Sequence, residues 1–354
     1  MTNNANEVLV PLKGKKFRLG GHEYKLCDTI ATGPFSSVFL VEENGISYAM
    51  KIEAQNGCLR PVLKLDHAVL TRLGGQRGFP KLTHSGRTDQ FKYVVMQLVG
   101  PDLSMLLEFA PNQRFSKSTI YKIALQTLER LQTLHSSGWM NRDVKAQNFA
   151  VGLGEDSNTV YMLDFGLTRR FMEKDGRRLL PRPWGPSVGT FPYAPLSSLG
   201  FSDQSPIDDV EGWLYMIIHM LNGLPWHNSK QQMTLAKVRE WKMYCRQAGG
   251  KTRLFAGLPS GWDAIFETIC WTKAYEKPDY EKISKMIISI ARIEAIDLRS
   301  PFDWQVNPRL RSLVRLGPLS NVDNITSPQS VKTSQFTFVD RQQPMCGMML
   351  SPMK

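Results

Sequence analysis

Apolar positions recur along this chain with two different periods, and the change from one to the other divides it. From Ile30 to Val41 alternation predicts two strands folded over a turn of small residues, and Tyr48-Ala49-Met50-Lys51 alternates again at the end of a further strand. In the segment that follows, Leu63, Val69, Leu70 and Leu73 are spaced for one face of a helix, with Asp66 inside the same stretch. From about residue 17 to 96 the pattern is rich in strands and carries this one main helix. From 101 to about 297 it is mainly helical: between Thr119 and His135, for example, Ile123, Leu128, Leu131 and Leu134 fall on one stripe. A short apolar strand from Val160 to Leu163 interrupts the helical region. Residues 1–16 are polar and without period and are expected to be a disordered arm. Residues 298–354 lose periodicity, carry Ser327-Pro328 and Ser351-Pro352, and are expected to be a flexible tail. The fold class is α+β: a small β-rich unit followed by a larger helical one.

The residues with chemistry lie where these elements end. Asp143 and Asn148 are five apart, and Asp164-Phe165-Gly166 follows the apolar strand. Two loops thereby present a carboxylate that can accept a hydroxyl proton and two oxygen donors that can hold magnesium against a triphosphate. Upstream, the turn between Ile30 and Val41 brings backbone N–H groups together as phosphate binding requires, and Lys51 supplies a cation. Each feature alone is weak. Turn, lysine, carboxylate helix, catalytic loop and metal aspartate in this one order are specific.

Further stretches narrow the comparison. Tyr93 to Gly100, Asn148 to Gly152, Tyr161 to Phe171, Asp208 to Trp226 and Lys277 to Tyr280 resemble the casein kinase I superfamily of protein kinases, with the tau-tubulin kinase branch nearest. The resemblance runs from about Phe17 to Arg292 and implies a bilobal kinase domain over 17–297, with a small lobe at 17–96, a hinge at 97–100 and a large lobe at 101–297. It implies a serine/threonine kinase that moves the γ-phosphate of ATP to protein hydroxyls with Mg2+. Asp143 would then accept or orient the hydroxyl proton, Lys145 would steady the γ-phosphate, and Asn148 and Asp164 would hold the metal. Thr190 would bond near Asp143 and shape the substrate floor. Lys51 would grip the α- and β-phosphates, with Asp66 as its helix-borne partner. Ile30 and Gly33 would cover the nucleotide, Val38, Ala49 and Ala150 would sandwich the adenine, Met96 would guard the rear of the pocket, and Gln97 and Leu98 would belong to the hinge. For Val38, Ala49, Ala150 and Met96, core packing explains the residue equally well. Asp209 matches the aspartate that caps the catalytic-loop backbone, and a helix cap is the competing reading.

Departures from the family pattern bear on turnover. Ala31 and Ser36 stand where glycines are usual around Gly33, and Pro34 removes a donor N–H. Asp66 is one methylene shorter than glutamate, so its bond to Lys51 requires the helix to move inward or a water to bridge. Asn141 replaces a histidine before Arg142-Asp143, and Pro192 stands where relatives carry an arginine that reads a priming phosphate. Two functions remain open: a working kinase, or a kinase-shaped scaffold with weak or no catalysis.

Composition limits the alternatives. The chain has 354 residues, 42% of them hydrophobic, enough for a two-lobed core. No apolar run approaches bilayer-spanning length, so no membrane partner is expected, and a cytoplasmic or nuclear monomer is. A net charge of +12 suggests nucleic acid, but outside 169–183 the basic residues are scattered, which makes nucleic acid an unlikely partner. Arg177, Arg178 and Arg182 instead suit acidic protein substrates. Five cysteines without Cys-x-x-Cys spacing imply neither disulfides nor zinc. Gly249-Gly250-Lys251-Thr252 looks like a phosphate loop but lacks the earlier glycine, and is expected to be an ordinary loop.

Overall fold

The computed structural model describes residues 13–56, 61–173, 175–227, 233–317 and 337–339. The first unit is a six-stranded antiparallel sheet of β1 (Lys16–Leu19), β2 (His22–Thr32), β3 (Ser37–Glu43), β4 (Ile46–Ala54), β5 (Leu82–Arg87) and β6 (Phe91–Gln97), in the order β1-β2-β3-β4-β6-β5. Alternation puts Phe39, Val41, Met50, Ile52, Tyr93 and Val95 on one buried face. The β3–β4 register is set by Asn44-Gly45, both at positive φ (51° and 78°), as a two-residue hairpin turn needs. Most of the expected arm, residues 1–12, lies outside the described residues; Lys16 already belongs to the sheet.

Helix α1 (Leu63–Leu73) crosses this sheet with Leu63, Asp66, Val69, Leu70 and Leu73 buried. The predicted stripe is there, and Asp66 lies three residues after Leu63 and four before Leu70, in phase with it. The start of α1 has no side-chain cap of its own. Glu53 of β4 takes that place, accepting from the N–H groups of Val62 (2.6 Å) and Leu63 (2.9 Å). This fixes how far α1 stands from β4, and hence how far Asp66 stands from Lys51.

The second unit is built on helices α2 (Leu103–Phe109), α3 (Lys117–Ser136), α4 (Leu196–Leu199), α5 (Pro206–Asn222), α6 (Leu235–Tyr244), α7 (Ala248–Leu254), α8 (Trp262–Trp271) and α9 (Tyr280–Ile293). Helix α5 is apolar almost all round and lies at the centre of the core, with every residue from Pro206 to Ile218 buried. Trp213 donates to Thr127 of α3 (2.9 Å), which locks the two longest helices together. Between α3 and α4 run the short strands β7 (Trp139–Met140), β8 (Phe149–Val151), β9 (Val160–Met162), β10 (Arg169–Arg170) and β11 (Val188–Thr190). The loops that join them carry the candidate chemistry.

Two expectations fail. Residues 249–252 are helical, inside α7, and Gly250 is there because a Cβ would lie 2.1 Å from the carbonyl oxygen of Tyr244. The tail does not begin at 298. Helices α10 (Asp303–Val306) and α11 (Pro308–Leu316) pack on the large lobe: Trp304 is 1% exposed and stacks on Phe302 (4.4 Å), and Leu310 and Leu313 are buried. Asp303 accepts from both the N–H and the hydroxyl of Ser116, at the start of α3 (2.6 Å each). Residues 318–336 and 340–354, including both Ser-Pro pairs, lie outside the described residues. The strand β12 (Thr337–Val339) is described and pairs with β11.

Candidate active site

A cavity of about 410 Å³ lies between the two units. Ile30, Gly33, Val38, Ala49 and Lys51 line it from the sheet, Met96, Gln97 and Leu98 from the connecting strand, and Asn148, Ala150 and Asp164 from the large lobe. All of the residues assigned to the nucleotide from sequence therefore face one space. Its walls are apolar near Val38, Ala49, Met96 and Ala150 and polar at the end formed by Lys51, Asp66, Asn148 and Asp164, the asymmetry that a flat base joined to a phosphate chain requires.

At the polar end Lys51 is buried, and its Nζ lies 2.8 Å from both Asp66 Oδ2 and Asp164 Oδ1. The inward position of α1 makes the shorter carboxylate sufficient, so the contact is direct and needs no bridging water. Asp66 spends its other oxygen on the N–H of Phe165 (2.9 Å), tying α1 to the loop that carries Asp164. That loop is constrained: Asp164 has φ +56°, Gly166 donates to Asp164 Oδ1 (3.2 Å), and Phe165 is buried and stacked on Phe79 at 6.2 Å. Burial raises the Asp66 carboxyl above the ordinary carboxylate range despite the nearby lysine. Asp164 has a half-exposed side chain, so the partial desolvation that pushes its carboxyl upward is overcome by the Lys51 ammonium, which holds it down at about 2. Burial works against the Lys51 ammonium, whereas the Asp164 and Asp66 carboxylates raise its pKa above the ordinary lysine value.

The second cluster is centred on Asp143. Its Oδ1 accepts from the Thr190 hydroxyl (2.7 Å), and its Oδ2 meets Lys145 Nζ (2.8 Å) and Asn148 Nδ2 (3.2 Å). Asn148 Nδ2 also donates to the Asp143 carbonyl (2.8 Å), which closes the loop on itself. With its amide nitrogen thus engaged, Asn148 has Oδ1 to offer, and Asp164, whose own side chain is 52% exposed, has Oδ2 outside its contacts with Lys51 and Gly166. Two hard oxygen donors are the kind of set magnesium takes, and it fills its remaining positions with phosphate and water. The residues therefore fit a magnesium nucleotide.

The backbone of this loop is held from below. Asp209, in the first turn of α5, accepts from the N–H groups of Asn141 (2.5 Å) and Arg142 (2.7 Å) and from His135 Nε2 (2.8 Å). Ser205 and Asp208 form the cap of α5, so Asp209 is not that helix's cap and acts on the loop. Asn141 is more than a reduced histidine. Its Oδ1 accepts from the N–H of Asp143 (2.9 Å).

Several functional positions escape the sequence reading. Lys242 of α6 is fully buried, donates to the carbonyls of Pro192 (3.1 Å) and Ala194, and lies over the rings of Tyr215 (4.4 Å) and Trp226 (5.1 Å). Glu211 of α5 accepts from Leu196 N–H (3.1 Å) and pairs with Arg246 (2.9 Å). Together they clamp the loop after Thr190 to the large lobe. The available signal was Glu211, a third acid in α5 after Asp208 and Asp209, at the edge of its apolar run. Asp102, just after the hinge, lines the cavity and caps α2 through the N–H groups of Ser104 and Met105; burial pushes its carboxyl up to about 6.

Among the activation-segment arginines, Arg182 is spent on Asp203 (Nε to Oδ1, 3.0 Å), which Arg169 also meets, and Arg177 is paired with Asp175 (2.7 Å). Burial raises the Asp203 carboxyl, yet the hydrogen bonds from Arg169, Arg182 and Tyr275 outweigh it and leave the group well below the usual carboxylate range. Among the described residues no cluster of three or more acidic, histidine or cysteine side chains could hold a metal alone, and no helix is long and apolar enough to cross a membrane.

Residues 24–253 match the family described as the protein kinase domain. A serine/threonine-protein kinase of Caenorhabditis elegans, spe-6, is 41% identical over 293 residues, covering 82% of this chain and 77% of that protein.

Proposed function

The chain belongs to the protein kinase family, and on that premise we propose that it is a serine/threonine kinase of the casein kinase I type, near the tau-tubulin kinase branch, acting on protein hydroxyls with Mg-ATP. The observation that carries the reading is the pair of charge clusters facing one cavity. Lys51 joins Asp66 to Asp164 at one, and Thr190, Lys145 and Asn148 converge on Asp143 at the other. A binding protein has no physical need for both.

Bound Mg-ATP supplies an electrophilic phosphoryl group whose charge the metal partly neutralises. Asp143 orients the acceptor hydroxyl and takes its proton, and Thr190 holds the carboxylate in the rotamer that points there. Lys145, already beside Asp143, is placed to meet the charge that develops on the transferred group. Asn148 and Asp164 would hold the metal through the oxygens their other contacts leave free. Lys51 fixes Asp164 and reaches for the phosphates, and Asp102 is positioned for a ribose hydroxyl. Of the three arginines first suited to acidic substrates, two are engaged by carboxylates of this chain, which leaves Arg178 of the three for an acidic substrate. The altered turn at Gly33, closed by its N–H to the Ser36 carbonyl (2.9 Å), favours slow turnover.

Purified protein tests this with two readouts: thermal shift with Mg-ATP for binding, and labelled phosphate transfer to casein or tubulin for chemistry. Asp143→Asn should lower transfer by roughly 10²–10⁴-fold and keep the shift. Asp164→Ala should lose both. Transfer by Asp143→Asn at the wild-type rate would overturn the assignment, and a shift without transfer in the wild type would favour the scaffold.

A further inference from the structure

Helix α6 buries only two of its side chains, Val238 and Lys242, one turn apart. An apolar residue would pack at the second position as valine does at the first. Lysine stands there instead, 0% exposed, and its Nζ donates to the carbonyls of Pro192 (3.1 Å) and Ala194. Trp226 gives the Pro192 carbonyl a second donor, through Nε1 at 2.9 Å. The turn held in this way is the one that aims the carboxylate of Asp143. The Thr190 carbonyl accepts from the N–H groups of Tyr193 (3.0 Å) and Ala194 (2.9 Å), which ties residues 190–194 into one piece, and the Thr190 hydroxyl donates to Asp143 Oδ1 (2.7 Å). Helix α5 supplies the seat beneath. A Cβ on Gly212 would lie 3.2 Å from the Tyr193 carbonyl oxygen and 3.8 Å from the Cβ of Val144, the residue after Asp143, so turn and catalytic loop rest on the same point. Tyr193 adds a hydrogen bond between its hydroxyl and His219 Nδ1 (2.7 Å). The nucleotide side has its own anchor in Lys51, Asp66 and Asp164. Burial pushes the pKa of Lys242 down to about 7, with Glu211 acting upward and Arg246 downward. The hold survives that titration, because a neutral amine still has two N–H groups for the two carbonyls.

We infer that Lys242 is a positioning residue for phosphoryl transfer: through the Pro192 and Ala194 carbonyls it holds the 190–194 turn, and with it Thr190 and Asp143, where an acceptor hydroxyl is received. Nucleotide binding is anchored independently of it. The consequence for turnover rests on the kinase reading, whereas the consequence for peptide binding does not. Methionine in place of Lys242 fills nearly the same volume and removes the cost of burying an amine, so stability changes little. The Ala194 carbonyl then loses that donor, and the turn is free to shift. A displacement of about 1 Å at this distance from the chemistry can cost on the order of 10²-fold in rate.

The test uses the full chain and two substitutions, Lys242→Met and Trp226→Phe, with active sites counted by Mg-ATP titration. Lys242→Met should keep KM for ATP and the Mg-ATP thermal shift, and should lose about 10- to 100-fold in kcat/KM per site for a casein peptide, with KM for the peptide raised. A purely structural role would lower the number of sites and leave both KM values alone. Trp226→Phe removes the other donor to the Pro192 carbonyl and keeps a ring. It should show the same split with a smaller loss, and it decides the matter if Lys242→Met does not fold. Affinity for the peptide in Mg-ADP should fall about 3- to 10-fold in Lys242→Met, the worth of one hydrogen bond. That measurement needs no turnover, so an inactive wild type would refute the kinase reading while peptide binding still judges the inference. Wild-type kcat/KM per site in Lys242→Met, or in Trp226→Phe where that variant alone folds, would overturn it. So would a KM for ATP that rises with the KM for the peptide, or an unchanged peptide affinity.

Discussion

Lengthening Asp66 to glutamate should harm this protein, although it restores the residue usual at that position. Asp66 is 2% exposed, and both carboxylate oxygens are already spent, Oδ2 on Lys51 Nζ (2.8 Å) and Oδ1 on the N–H of Phe165 (2.9 Å). The added methylene lengthens the side chain by about 1.5 Å between a helix held by Glu53 and a strand fixed by pairing on both sides. Overpacking of this kind costs about 1–3 kcal/mol, a factor of roughly 5 to 150. The strain is relieved by moving α1 outward, which draws Lys51 away from Asp164. We expect Asp66→Glu to lower kcat/KM for ATP at least about fivefold and to lower Tm. Asp66→Asn should be worse, because it keeps the shape but breaks a buried pair, at about 3–5 kcal/mol. The assay is steady-state phosphate transfer with ATP varied at fixed casein, alongside thermal melts of the three proteins. Activity of Asp66→Glu equal to or above wild type would show that the direct Lys51 contact does not hold in solution and would refute the reasoning.

Two further outcomes follow from the same geometry. Asp164, half exposed, has its carboxyl held at about 2 by Lys51, so its share of stability, reduced by solvent screening, is present above about pH 4 and lost as the pH falls towards 2. In Lys51→Met the two carboxylates lose that cation and bind protons at higher pH, so the loss of Tm against wild type should be largest near pH 8 and shrink by about pH 5; a gap independent of pH in that range would contradict it. Trp304→Ala should cost about 3–5 kcal/mol, a drop of roughly 5–8 °C in Tm, since Trp304 is 1% exposed and bonded to the Ser157 carbonyl (2.7 Å); an unchanged melt would mean that 303–316 is dispensable to the core.

How much of this could be read from the chain depended on whether a feature is local. The stripe of α1 is local, and it placed Asp66 on the buried face beside Leu63 and Leu70. The order of turn, lysine, helix and loops is local too, which is why every proposed nucleotide residue faces the one cavity. The separation of Asp66 from Lys51 is not local. It is set by Glu53 capping α1 from a neighbouring strand, and no spacing rule reports a distance fixed by a third residue. The clamp beneath Pro192 escaped for the same reason, because Lys242 lies 50 positions from the carbonyl it serves. The helices after 298 failed differently. Asn307 caps α11 through the N–H of Leu310, with Pro308 at its start, and Leu310, Leu313 and Val314 keep helical spacing. These are readable signals that arginines and a length of only nine residues obscured, and they matter because a helix this short is marginal in isolation and takes its stability from packing. Aromatic anchors therefore deserve more weight than periodicity in such a segment: Phe302 and Trp304, two apart in an otherwise polar stretch, are what hold it to the lobe.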